Sequence, residues 1–84
     1  MTRKGVILTE KTTNTIIKRS VLLAGHRTSV TLEGAFWDEL SLIAKRRDVS
    51  LNRLITQIDA SRTGNLASAL RLFVLEEVKK ATPS

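Results

Sequence analysis

Residues 27–58, RTSVTLEGAFWDELSLIAKRRDVSLNRLITQI, run a short alternating strand directly into two amphipathic helices, and this order restricts the fold more than any other feature. Within 27–33, Arg27, Ser29, Thr31 and Glu33 fall on one face and Thr28, Val30 and Leu32 on the other, the period-two pattern of a half-buried strand. Gly34 marks a strand-to-helix corner. Phe36, Trp37, Leu40, Ile43 and Ala44 then recur at the spacing of one helical face, which predicts a helix over 34–47. Asp38 and Glu39 are expected in its first turns and Lys45, Arg46 and Arg47 at its end, each sign suited to its end of the helix dipole. Asp48-Val49-Ser50 predicts a turn, with Ser50 as N-cap of a second helix over 51–61 striped by Leu51, Leu54, Ile55 and Ile58. A break at 61–65 supplies Asn65 as a further cap, and a third helix over 66–81 follows. That helix is apolar at Leu66, Ala69, Leu70, Phe73, Val74 and Val78, with Leu72 and Leu75 outside the main stripe, so contact with more than one neighbour is expected.

A lone strand ahead of helices has no partner further along the chain, and an open strand edge is a liability. The expected remedy is a second copy: a mainly α fold with a short N-terminal strand, closed as an intertwined homodimer around an antiparallel two-stranded ribbon. Val30, Leu32, Trp37, Leu40, Ile43, Leu54, Ile55, Ile58, Leu70 and Phe73 are expected in the dimer core. Upstream, KRSVLL (18–23) is β-prone, and Ala24-Gly25-His26 breaks it. Arg19–Leu23 echoes Thr28–Leu32 nine residues later, which leaves a local hairpin and coincidence both open. Residues 1–17 read as a basic flexible arm, and 18–82 as the folded domain.

Composition narrows the function classes. The 84 residues make one domain, small for building a core alone. There is no cysteine and a single histidine, His26, so neither a disulfide nor a metal site is expected, and no cofactor. Glu76 and Glu77 diverge on a helix, His26 has no catalytic neighbour in sequence, and four scattered glycines make no phosphate loop; an enzyme is not expected. No apolar run approaches the roughly 20 residues that span a bilayer, and no secretory-type leader is expected, so the expected location is the cytoplasm, at the nucleoid.

The net charge of +6 is uneven. Residues 1–27 carry Arg3, Lys4, Lys11, Lys18, Arg19 and Arg27 against Glu10, net +5, whereas eight basic and seven acidic residues leave 28–84 at +1. Excess positive charge beside a strand is an electrostatic footprint for a polyanion. On the outward face of that strand, Arg27 suits guanine O6/N7, Ser29 and Thr31 suit several base edges, and Thr31 can offer its methyl to thymine. The start of the second helix, Ser50, Leu51 and Asn52 with Arg53 beside it, presents free N–H groups to phosphate. Lys18, Arg19, Arg3 and Lys4 are further expected phosphate contacts, and double-stranded DNA is the expected partner.

Four segments together resemble a known family: Lys18-Arg19-Ser20-Val21, Gly25-His26-Arg27-Thr28-Ser29, Phe36-Trp37-Asp38-Glu39-Leu40 and the run Asn65–Val74, NLASALRLFV. They are similar to the ribbon-helix-helix repressors of bacteria and phage, the Arc/MetJ/CopG type, over roughly 18–80. The resemblance implies a homodimer whose paired strands enter the major groove, with Arg27, Ser29 and Thr31 reading bases and the second helix clamping phosphate. It implies a transcriptional regulator, most often a repressor, with higher-order assembly on DNA left open. The alternative is an antitoxin or adaptor whose C-terminal helix binds a partner protein. The N-terminal arm and the third helix extend the minimal fold.

Overall fold

The computed structural model describes residues 15–81. Two strands, β1 (Ile16–Leu23) and β2 (His26–Glu33), precede three helices, α1 (Gly34–Arg46), α2 (Leu51–Ser61) and α3 (Leu66–Ala81). The expectation that the strand lacks a partner within the chain is corrected: β1 and β2 pair antiparallel as a hairpin, from Ile16 opposite Glu33 to Leu23 opposite His26. The turn explains why. Ala24 and Gly25 both adopt positive φ, 50° and 82°, the conformation of a primed two-residue turn whose twist matches the flanking strands. The residues expected in the arm at 16 and 17 therefore belong to β1, and β2 begins one residue earlier than expected.

Side chains alternate across the hairpin. Val21, Leu23, Val30 and Leu32 are buried on the face toward the helices, with α1 and α3 packed on β2 and α2 on β1. α1 starts at Gly34, whose N–H donates to Thr15 O at 2.7 Å and so continues the strand ladder into the first helical turn. Asp38 and Glu39 lie beyond that first turn, which holds no acid. The helix ends one residue short of the expected boundary, with Arg47 as C-cap. Asp48 follows in the left-handed region (φ 58°), its N–H donating to Lys45 O and the Val49 N–H to Ala44 O. This paired closure absorbs the carbonyls at the helix end. Both predicted N-caps are formed: Ser50 Oγ accepts from the Arg53 N–H at 3.0 Å, and Asn65 Oδ1 from the Ser68 N–H at 3.1 Å.

Nine of the ten residues expected in a dimer core are already buried within one chain. Val30, Leu32, Trp37, Leu40, Ile43, Leu54, Ile55, Ile58 and Leu70 are all buried within it, together with Val21, Leu23, Leu66 and Val74, and Phe73 packs half-buried at its border. The apolar stripes of three helices and a hairpin face converge, so each covers the others without a second copy. The Trp37 indole N–H, which burial would otherwise leave unmet, donates to Ile17 O at 2.9 Å. On α3 the packed stripe is Leu66, Leu70 and Val74, whereas Leu72, Leu75 and Val78 remain 60%, 51% and 42% exposed.

Candidate nucleic-acid interface

The face of the hairpin turned away from the helices is polar and exposed. From β2 it carries Arg27, Ser29 and Thr31, the three positions expected to read bases, all exposed. From β1 it carries Lys18, Ser20 and Leu22, directly opposite Thr31, Ser29 and Arg27 respectively. A ribbon two strands wide that buries Val21, Leu23, Val30 and Leu32 on one side and carries Arg, Lys, Ser and Thr beside Ile16 and Leu22 on the other has the width that the major groove admits. The acid at the far end of this face, Glu33, is compensated. A hydrogen bond from its own backbone, then one from Arg71, holds its carboxyl below the ordinary range, and Arg71 Nε lies 3.1 Å from Glu33 Oε1.

The start of α2 is fastened to the edge of this ribbon. Asn52 Oδ1 accepts from the Leu22 N–H at 2.9 Å, and its Nδ2 donates to Leu22 O at 2.8 Å. In an antiparallel ladder, alternate residues turn both backbone groups away from the partner strand; Leu22 is such a residue, and Asn52 satisfies both. Asn52, expected on a phosphate, is thereby committed to the ribbon, and it sets where the neighbouring N–H groups of α2 stand. Ser50 and Arg53 are exposed beside it, and the Leu51 side chain is half-buried against the core.

Lys18 and Arg19, expected together on phosphate, separate because neighbours on a strand point to opposite faces. Lys18 lies on the outward face. Arg19 lies on the inner face at the sheet margin, its guanidinium 5.2 Å from the Trp37 ring centroid, a cation–π distance. Arg3 and Lys4 lie outside the described residues, as does the arm through residue 14. Two residues that the sequence reading passed over share the outward face, Ser20 and Leu22. Their period-two spacing with Lys18 was the available signal, and it becomes readable once Ala24-Gly25 is taken as a hairpin turn.

Residues 16–78 match the family described as ribbon-helix-helix domain. The chain belongs to the ribbon-helix-helix family. The same arrangement recurs in the solved structure of an uncharacterized protein from Bordetella pertussis Tohama I, with a TM-score of 0.74 and 30% sequence identity, covering 95% of this chain and 70% of that one. No curated protein matches. The matched residues run from β1 through most of α3. Among the described residues there is no cluster of metal-ligating side chains and no helix long and apolar enough to cross a membrane.

Proposed function

We propose that this ribbon-helix-helix protein is a sequence-specific double-stranded-DNA-binding transcriptional regulator that acts as a homodimer and represses by occupying its operator at the bacterial nucleoid. The observation that carries this reading is the outward hairpin face, where Arg27, Ser29 and Thr31 stand exposed over strands whose other side is buried in the core. Their side chains are free of structural duty, so their polarity is available for base edges. Phosphate-side contacts come from the α2 start at Ser50 and Leu51, from Arg53 and Lys18, and from Arg3 and Lys4 in the arm. Each adds affinity without sequence information.

The test is to enrich genomic fragments on the protein and compare binding to an enriched duplex and its scrambled version. Arg27→Ala, Ser29→Ala and Thr31→Ala should each weaken binding to the enriched duplex by about 1–3 kcal/mol, the worth of a well-placed base pairing, with circular dichroism unchanged. Equal wild-type affinity for the two duplexes would sink the reading.

A second reading has one observation in its favour. The exposed Leu72, Leu75 and Val78 stripe of α3 is the kind of apolar surface that docks another protein, as an antitoxin or adaptor would require. We assign it to the second copy of the chain. If Leu72→Glu with Leu75→Glu leaves self-association unchanged, the stripe belongs to a different partner and the second reading gains.

A further inference from the structure

We propose that α3 pairs with α3 of a second copy in an antiparallel two-fold seam, with Leu72 of each chain against Leu75 of the other and Arg71 against Glu76. This rests on the assignment of the exposed stripe to a second copy made above, and states how that copy docks.

Three observations carry it. First, α3 has two apolar sides. Leu66, Leu70 and Val74 are buried against the core, whereas Leu72 and Leu75 are 60% and 51% exposed. Three positions apart, those two leucines are neighbours on the helix surface. Leu72 also stands at a cleft of about 500 Å³ between α2 and α3 that Leu54, Ile58 and Phe73 help to line, so the apolar surface open to a partner is wider than one stripe. Second, an unmatched acid lies beside the stripe. Glu77 is held by Arg47 and Lys80, but its exposed neighbour Glu76 makes no ion pair among the described residues. Arg71 meets Glu33 through Nε and Nη2, which leaves its Nη1 donors for a further carboxylate.

Third, these charges choose among the ways two copies of α3 can meet. A two-fold contact is self-complementary, so every match or clash occurs twice. Parallel helices would set Arg71 on Arg71 and Glu76 on Glu76. Antiparallel helices centred on Leu75 would set Arg71 against Lys79, again like against like. With Leu72 on Leu72, Glu76 would face Ser68 and gain no cation. Shifted so that Leu72 meets Leu75, both leucine contacts close and each Arg71 faces a Glu76. The seam lies on the side of α3 away from its buried stripe, and so leaves the hairpin uncovered.

The test is charge exchange in the full-length protein, read by sedimentation velocity with circular dichroism on each variant. Glu76→Arg sets arginine against arginine across the seam. Glu33→Arg with Arg71→Glu keeps the pair within each chain and sets acid against acid across the seam. Each alone is expected to weaken self-association about 5- to 30-fold, the order for two partly exposed pairs turned from attraction to repulsion. Mixed in equal amounts, the two variants are expected to associate with each other within about 3-fold of wild type, because every arginine again faces an acid. Glu76 is exposed and unpaired, so the first variant decides even where the second unfolds. Unchanged association in Glu76→Arg, or no recovery in a mixture of folded variants, overturns the proposal. If Leu72→Glu with Leu75→Glu dissociates the protein while Glu76→Arg does not weaken it, the stripe still meets a second copy and only this seam fails. If neither alters association, the assignment of the stripe fails with it. Preference for the enriched over the scrambled duplex is measured apart from association, so loss of the DNA reading is told from loss of the seam.

Discussion

Asn52 shows how much one side chain can decide in so small a molecule. It reaches 30 positions back along the chain to satisfy both backbone groups of Leu22, and by doing so fixes the α2 start against the ribbon. Asn52→Ala removes two hydrogen bonds at a half-exposed site, for an expected loss of about 1–2 kcal/mol in urea unfolding. Asn52→Asp keeps an acceptor for the Leu22 N–H but sets an acceptor-only carboxylate oxygen against Leu22 O, so it should cost at least as much as alanine at neutral pH. If the proposed DNA reading holds, Asn52→Ala should weaken enriched and scrambled duplexes alike, because the helix start proposed to meet phosphate is displaced while the face proposed to read bases stays intact. A loss confined to the enriched duplex would place Asn52 on a base. This role was not legible in the sequence, since nothing local at Asn52 announces a strand edge from another part of the chain. Trp37 was legible as buried because it shares a helical stripe with Leu40 and Ala44; its partner, Ile17 O, was not, for the same reason as Leu22.

At the scale of elements, helices and hairpin differ in how openly the sequence declares them. Three helices follow from periodicity and caps alone: Ser50 and Asn65 each cap as expected, and the stripes face the core except at Val78, near the end of α3, which is 42% exposed. The hairpin was only half visible, as an echo between 19–23 and 28–32, because its turn is Ala-Gly and lacks the Asn-Gly or Asp-Gly that marks a primed turn. Ala24 holds φ at 50°, a region where a side chain other than that of Gly, Asn or Asp is disfavoured by roughly 1–2 kcal/mol. Ala24→Asn should therefore stabilise the protein, by about 0.5–1 kcal/mol in chemical denaturation. Gly25→Ala should destabilise by about 1 kcal/mol through φ alone, since an added Cβ at Gly25 would meet nothing within 4 Å. Unchanged stability in both variants would mean that the turn is not formed as described. Asp48, at φ 58° after α1, uses the same permitted region with a residue better suited to it, which is why the α1–α2 turn was easier to foresee.

For the whole molecule, α3 is the element that closes the structure, and it is held at its rim by charge. Arg71 pairs with Glu33 at the β2–α1 junction, and Glu77 pairs with Arg47 at the end of α1 at 2.9 Å. Burial of Glu77 opposes ionisation, but the Lys80 hydrogen bond, the charges of Arg47 and Lys80 and the Arg47 hydrogen bond outweigh it, so its carboxyl, like that of Glu33, lies below the ordinary 4.5. A carboxyl depressed by folding contributes stability that is complete above its unfolded value and disappears as pH falls through its folded one. Urea midpoints should thus be flat at neutral pH and decline below about pH 4.5, and Glu33→Gln with Glu77→Gln should shallow that decline. The outer side of α3 carries the remaining argument. Because a single chain already buries Trp37, Leu40 and Leu54, the proposed pairing with a second copy rests on the exposed Leu72, Leu75 and Val78 and not on an unfinished core. Leu72→Glu with Leu75→Glu should then yield a folded monomer in light scattering, with native circular dichroism and a midpoint independent of concentration, whereas the wild-type midpoint rises with concentration. DNA binding should report the same change. If two copies together neutralise roughly six phosphates, the slope of log affinity against log salt is about −5, and a monomer touching roughly three gives about −3. A variant that becomes monomeric while keeping the steeper slope would show that one chain makes all the phosphate contacts and that the second copy binds elsewhere than on DNA.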